Sequence, residues 1–155
     1  MATEKDFEEL LQLFAKNKVR YCIVGAYAVA FHAEPRYTKD LDIFIEPNKD
    51  NAARILKALK AFGFKGLALR VEDLSRKGKI IQLGYEPVRI DILTSIDGCD
   101  FKEAWEGKAV GTYGAQKVNF IGLKELIKNK KRSGRKQDSA DIAILKSKMK
   151  TVKPT

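Results

Sequence analysis

Hydrophobic side chains recur along the chain either at the three- and four-residue spacing of an amphipathic helix or in short β-branched runs typical of buried strands. The helical spacing is clearest at Phe7, Leu10, Leu11 and Phe14. The predicted helices cover residues 4–17, 26–31, 51–62, 100–105, 122–131 and 137–149. The predicted strands cover residues 19–24, 41–45, 79–84, 88–93, 108–113 and 117–121. Strands and helices in this irregular order, with two hairpins, predict an α/β (α+β) fold with a mixed sheet covered by helices.

The length and composition of the chain fit one globular domain. Its 155 residues are 45% hydrophobic, which is enough to bury a core and excludes wholesale disorder. No apolar run approaches the roughly 20 residues of a membrane span, and the polar N-terminus does not have the pattern of a secretory signal. Cys22 and Cys99 lie in apolar segments without metal-ligand spacing, so we expect reduced thiols in the core. We therefore expect a cytoplasmic domain over residues 1–155, without a membrane partner.

Positive charge is concentrated in the C-terminal helical segment, at about residues 122–149, which follows a predicted core at about 19–121. The chain has 30 Lys and Arg against 20 Asp and Glu, for a net charge of +10. Residues 123–155 hold 11 basic and 3 acidic side chains, a net charge of +8. Such a segment suits a polyanion, either a nucleic acid or the phosphates of a nucleotide. A solvated, Lys-rich helix face explains the same charge.

Three carboxylates lie in predicted strands, where charge is unexpected. Asp40 and Asp42 are two residues apart, so they share one face of a strand as a like-charged pair. Asp91 lies between apolar residues of a later strand, where its neighbours on the same face are Arg89 and Leu93, and a salt bridge to Arg89 is one explanation for its charge. Carboxylates from two strands suit Mg²⁺, and two such ions promote in-line displacement at phosphorus. Alternatively, Asp40 and Asp42 flank a loop, cap a turn and face water.

The residues upstream of these acids predict a phosphate site. The strand that ends at Val24 is followed by Gly25 and then by a helix. Glycine lets a phosphate approach the backbone closely, and the N–H groups of a first helical turn favour anions. Thirteen residues separate Ala26 from Asp40, so this turn and the acidic pair follow each other closely along the chain.

The order Val24-Gly25-Ala26, Asp40-Leu41-Asp42-Ile43 and a later lone Asp91 resembles the nucleotidyltransferase superfamily that includes DNA polymerase β. Residues 33–43 are similar to the R-x-T-x-D-L-D loop and strand of its small bacterial and archaeal members. Residues 123–142 are similar to the final K…G-R-x-K-D-x-x-D-I pattern of the same proteins, some of which belong to toxin–antitoxin pairs. The match runs from about residue 20 to 146.

The resemblance implies a small mixed β-sheet of the nucleotidyltransferase type, flanked by helices and followed by a C-terminal helical pair. It implies that Asp40, Asp42 and Asp91 are catalytic and bind Mg²⁺, with Mn²⁺ as a substitute, and that Asp91 also helps to activate the acceptor. Ala26 stands where the superfamily has Gly or Ser, so a hydroxyl is missing there and the backbone donor remains. The expected nucleotide-binding residues are Gly25, Ala26, Arg36, Thr38, Lys39, Lys124 and Lys136.

The leading hypothesis is Mg-dependent transfer of a nucleoside monophosphate from an NTP to an unidentified hydroxyl acceptor, with release of pyrophosphate. The acceptor is an RNA, a protein or a small molecule, and a separate partner protein is a candidate to supply its surface. A second hypothesis is a weakly active or inactive protein of this fold that binds RNA or a toxin partner. A metal-dependent nuclease that uses the same carboxylates is a third. His32, the only histidine, is either a general base or a packing residue.

Overall fold

The computed structural model describes residues 4–35, 38–64, 68–85 and 88–151. The helices are α1 (Lys5–Lys16), α2 (Gly25–His32), α3 (Lys49–Phe62), α4 (Val71–Ser75), α5 (Phe101–Glu106), α6 (Leu123–Ser133) and α7 (Lys136–Thr151). The strands are β1 (Tyr21–Val24), β2 (Asp40–Ile45), β3 (Ile80–Tyr85), β4 (Val88–Leu93), β5 (Ala109–Tyr113) and β6 (Gln116–Phe120). Every predicted element is present, and α4 is an addition. Within the described ranges, no helix is long and apolar enough to cross a membrane.

The strands form one mixed sheet in the order β3-β4-β2-β1-β6-β5. The central strand β1 is antiparallel to β2 and parallel to β6, and β2 is parallel to β4. The hairpins β3–β4 and β5–β6 form the two sides of the sheet. The predicted mixed sheet is therefore confirmed, and its parallel pairs join strands that are distant in the sequence.

One face of the sheet is mainly apolar along its central strands. Leu41 of β2 lies beside Ile90 of β4, and both are buried. Helix α1 covers this face, because the ring of Phe14 packs edge-on against Tyr21 of β1 with centroids 5.6 Å apart. Burial of large apolar side chains on this face contributes to the driving force for folding. The three predicted carboxylates are not on this face.

The opposite face changes from apolar to charged along β2. Phe44 packs against Phe101 of α5, with ring centroids 5.2 Å apart, and the thiol of Cys22 donates to the carbonyl of Ala104 in the same helix. Toward the start of β2, the same face carries Asp40 and Asp42, which are only half-buried. Helix α5 thus covers the apolar part of this face, and the two acids lie where the face stays open.

Helices α6 and α7 are joined by a buried ionic cluster. The Nζ of Lys130 lies 2.9 Å from Asp138 Oδ1 and 3.2 Å from Asp141 Oδ2, and Lys130 is only 6% exposed. Asp138 also accepts hydrogen bonds from Ser133 and, at 3.1 Å, from the Nε of Arg135. The alternative of a solvated helix face is therefore wrong for Lys130, whose charge holds the two helices together.

Candidate functional site

The acidic residues of β2 and β4 meet because these two strands are parallel and in register. Asp42 is directly opposite Asp91, and Asp40 is directly opposite Arg89. The Nη2 of Arg89 lies 3.0 Å from Asp91 Oδ2 and 3.4 Å from Asp40 Oδ2. The structure therefore brings the three predicted carboxylates to neighbouring positions on one face, with a guanidinium between two of them.

The electrostatics of these acids favour a bound cation. Burial raises the pKa of Asp42 to about 6, and the charges of Asp91 and Asp40 add to the rise, while Arg89 and Arg135 oppose it. The Oδ1 atoms of Asp40 and Asp91 are buried and have no hydrogen-bond partner. A buried carboxylate oxygen without a donor costs free energy, which a hard cation would recover.

No group of three His, Cys, Asp or Glu side chains among the described residues has the geometry of a formed metal site. Arg89 lies between Asp40 and Asp91, so their Oδ2 atoms face its guanidinium. The donor set nevertheless fits a hard divalent cation, because it offers carboxylate oxygens, two of them buried and unpaired.

Gly25 packs directly against one of the acids. Its φ of +67° lies in the left-handed region, and a Cβ at this position would lie 2.2 Å from Asp42 Oδ2. Gly25 is also the first residue of α2, whose N-terminus has no side-chain cap, and Ala26 follows in the same turn. The backbone N–H groups of this turn are therefore available to an anion beside the acids.

A cleft of about 450 Å³ unites these features. Gly25, Asp42 and Asp91 line its sheet side, and Arg135 lines the side formed by α6 and α7. The apolar part of its lining consists of Val24, Ile80, Leu93 and Ile96. The cleft therefore offers acidic, basic and apolar surfaces at once, as a nucleotide with its cation requires.

Arg135 belongs to the basic C-terminal segment that the sequence suggested for phosphates or RNA, but it was not singled out as a nucleotide-binding residue, although the C-terminal motif contains it. Its side chain is 65% exposed, and its Nε is tied to Asp138. Apart from this pairing, Arg135 forms no hydrogen bond or ion pair within the described part of the chain, so its terminal nitrogens are available to a ligand. The position of Arg135 in the C-terminal motif was the sequence signal that could have identified it as a nucleotide-binding candidate.

None of the other predicted nucleotide-binding residues that the structure describes is among the residues that line the cleft. Lys39 is exposed just before β2, and Lys124 and Lys136 are exposed at the starts of α6 and α7. Lys136 and Arg135 are neighbours in sequence at the start of a helix, where successive side chains point in different directions, and Arg135 is the one that lines the cleft. The carbonyl of Thr38 accepts from the hydroxyl of Tyr27 at 3.1 Å. Arg36 lies outside the described residues.

His32 has a packing role in this structure. Its Nε2 donates to the carbonyl of Ile121 over 2.6 Å, and its ring contacts Phe31 edge-on. Burial lowers the pKa of His32, against the opposing effect of the hydrogen bond to Ile121, so the neutral ring is favoured. His32 ties the end of α2 to the end of β6 and is not among the residues that line the cleft.

Comparison with solved structures identifies the fold. The lincosamide antibiotic adenylyltransferase LnuA, bound to lincomycin, is similar with a TM-score of 0.57 and 20% identity over 94% of this chain and 98% of that chain. A Thermotoga maritima protein described as a nucleotidyltransferase gives a TM-score of 0.62 and 15% identity over 90% and 89%. An antigenic nucleotidyltransferase-like protein from Paracoccidioides brasiliensis gives 0.56 and 18% over 99% and 79%.

The chain therefore has the nucleotidyltransferase fold, as the resemblance implied. No protein-family model matches it, and neither does any curated protein. Because the identities to the solved structures are 20% or lower, the likeness shows the fold alone. The chemistry has to be inferred from the residues of the cleft.

Proposed function

We propose that this protein transfers a nucleoside monophosphate from an NTP to a hydroxyl acceptor and releases pyrophosphate. The observation that carries the proposal is the cleft itself. It places Asp42 and Asp91, the uncapped N-terminus of α2 at Gly25, and the available guanidinium of Arg135 around one space. Acids suit a cation, and backbone N–H groups and an arginine suit the phosphates that the cation accompanies.

The residues that would hold a divalent cation, Mg²⁺ or Mn²⁺ in its place, are Asp40, Asp42 and Asp91. The buried, unpaired oxygens of Asp40 and Asp91 support this assignment. A cation bound there would neutralise charge on the triphosphate and lower the pKa of the acceptor hydroxyl.

The protein's own groups would orient the reaction. The acceptor oxygen forms a bond to the α-phosphorus while the bond from that phosphorus to the bridging oxygen breaks, and pyrophosphate leaves with the electron pair. We assign the hydroxyl proton to a carboxylate oxygen of Asp91, which lines the cleft. Arg135 and the N–H groups of Gly25 and Ala26 bind the departing phosphates and stabilise their charge.

One structural neighbour suggests which nucleotide donor and which acceptor to test first. LnuA is named as an adenylyltransferase of lincosamide antibiotics, and 98% of its chain is covered by this one. ATP is therefore the first donor to test, and a small hydroxyl compound is the first acceptor. RNA, a protein side chain and an acceptor surface supplied by a partner protein follow in the same assay.

Calorimetric titration of ATP, GTP, CTP and UTP, with and without Mg²⁺, tests the nucleotide site. We expect Mg²⁺-dependent binding of at least one NTP by the wild-type protein and its loss in Asp42→Asn. Asp50→Asn is the matched control, because Asp50 is an exposed acid on α3 outside the cleft. An NTP labelled at the α-phosphate then identifies the acceptor among candidate compounds.

Two results would contradict the proposal. If no NTP binds to the folded wild-type protein, the cleft is not a nucleotide site. That result would favour the second hypothesis, a weakly active or inactive protein that binds RNA or a toxin partner. If Asp42→Asn binds every NTP as the wild type does, the acids have no part in binding and the assigned geometry is wrong.

A further inference from the structure

The guanidinium of Arg89 already supplies one positive charge among the three acids that are proposed to bind a metal ion. A single nitrogen of its guanidinium, Nη2, contacts both Asp91 at 3.0 Å and Asp40 at 3.4 Å. The contact follows from the fold, because Arg89 is opposite Asp40 in the register of β2 and β4 and is on the same strand face as Asp91. An arginine stays protonated at every pH at which the protein is folded, so this positive charge is permanent.

The oxygens that Arg89 does not contact mark one further cation position. The Oδ1 atoms of Asp40 and Asp91 are buried without a partner, and Asp42 accepts no hydrogen bond from the described residues. Three carboxylates and one guanidinium together carry two negative charges, which one divalent cation neutralises. A second divalent cation would have to displace the guanidinium from two carboxylates, one of which, Asp91, is only 13% exposed.

We propose that Arg89 takes the place of a second metal ion, so that this site binds a single divalent cation. The inference rests on the proposed function, because it specifies how many metal ions the proposed acids bind. It differs from the two-ion arrangement that was expected from the sequence. Arg89 is then a positioning residue. It holds Asp40 and Asp91 in place for the one cation and supplies the positive charge that a second ion would otherwise bring.

Mn²⁺ alone, without nucleotide, is the probe that tests this inference. Equilibrium dialysis counts the ions bound per chain, and electron paramagnetic resonance distinguishes an isolated Mn²⁺ from an exchange-coupled pair. We expect one isolated ion in the wild type and a coupled pair in Arg89→Gln, which removes the charge and leaves the side chain polar. Arg89→Lys keeps the charge and is expected to keep one ion.

Arg20→Gln is the matched control. Arg20 pairs with Glu46 at 3.2 Å outside the cleft, so its loss removes an equal charge without touching the acids, and one ion is expected. Circular dichroism establishes that each variant is folded. A wild-type count of two ions or of none decides against the inference without any variant, and a count of one is then tested with the folded Arg89→Gln and Arg89→Lys proteins.

Three outcomes overturn the inference, and they separate it from the proposed function. Two ions in the wild type overturn the inference and leave the proposed function intact. One ion in both the wild type and Arg89→Gln shows that the guanidinium does not exclude a second ion. No Mn²⁺ bound to the folded wild type contradicts the proposed metal-binding acids, and the inference fails with them.

Discussion

Substitution of Gly25 by alanine separates two reasons for which a glycine is needed next to the acids. At Gly25, alanine would meet both an unfavourable backbone angle, φ +67°, and the carboxylate of Asp42, with Cβ 2.2 Å from Oδ2 and 3.1 Å from Cγ. Gly134, at the end of α6, has the same φ of +67° and nothing within 4 Å of the added Cβ. Gly134→Ala therefore reports the backbone strain alone.

The magnitudes follow from these contacts. A left-handed angle at a non-glycine residue costs about 1–2 kcal/mol, and this cost is common to both variants. At Gly25, the carboxylate of Asp42 must also turn away, which adds about 1 kcal/mol if its side chain leaves a staggered rotamer. Because Gly25 positions a proposed metal ligand, we expect Mn²⁺ affinity to fall about 10- to 100-fold in Gly25→Ala. In Gly134→Ala it should be unchanged.

Urea unfolding of the metal-free proteins measures the first effect, and Mn²⁺ titration measures the second. The informative quantity is the difference between the two variants, since their backbone strain cancels. Equal losses of unfolding free energy, together with equal Mn²⁺ affinities, would refute the reasoning, because the contact between Gly25 and Asp42 would then have no consequence.

Three further substitutions test individual charges. Asp42→Asn should stabilise the metal-free protein by about 3 kcal/mol at pH 7, because the folded-state pKa of Asp42 is raised from 3.8 to about 6. This gain should fade as the pH drops from about 6 to below 4, and a gain independent of pH in urea unfolding would contradict it. Asp138→Asn should do the opposite. Burial alone would raise the pKa of Asp138, but hydrogen bonds from its neighbours outweigh it and lower the pKa to about 2. The variant should therefore lose about 2 kcal/mol of unfolding free energy above pH 5 and only a small part of that at pH 2, and an equal loss at both pH values would argue against the ionic cluster. Arg135→Gln should weaken Mg²⁺–NTP binding about 10- to 100-fold in calorimetry, since a charged hydrogen bond contributes about 1.5–3 kcal/mol, whereas Lys136→Gln should not. Equal effects of the two would mean that position in the cleft does not matter.

Local sequence patterns predicted the secondary structure well. The spacing of Phe7, Leu10, Leu11 and Phe14 predicted α1, and these four residues are its buried face. Helix α4 was missed because its residues, Val71–Ser75, are too few to show a helical period. Its position depends on packing against α3, which no local pattern contains.

The acids were easier to find than their basic partners. A charge inside an apolar strand is conspicuous, so Asp42 and Asp91 stood out. Lysines and arginines are frequent in the last two helices, and neither spacing nor composition distinguishes the buried Lys130 from exposed neighbours such as Lys131. Contacts between α6 and α7 decide that difference. The Asp40–Arg89 pairing likewise depends on the register of two strands that are distant in the sequence.

Because β1 pairs with β6, the sheet cannot be completed during synthesis until the chain has emerged as far as β6. Ile23 is paired with Phe120, and the N–H of Ile121 donates to the carbonyl of Ile23 at 2.9 Å. A nascent chain that has emerged only as far as β4 already holds the acids but lacks this neighbour of β1 and the segment between α6 and α7 that contains Arg135. Closing such a long loop is slow and entropically costly. The proposed nucleotide site would therefore be completed late, once the C-terminal helices have left the ribosome and docked.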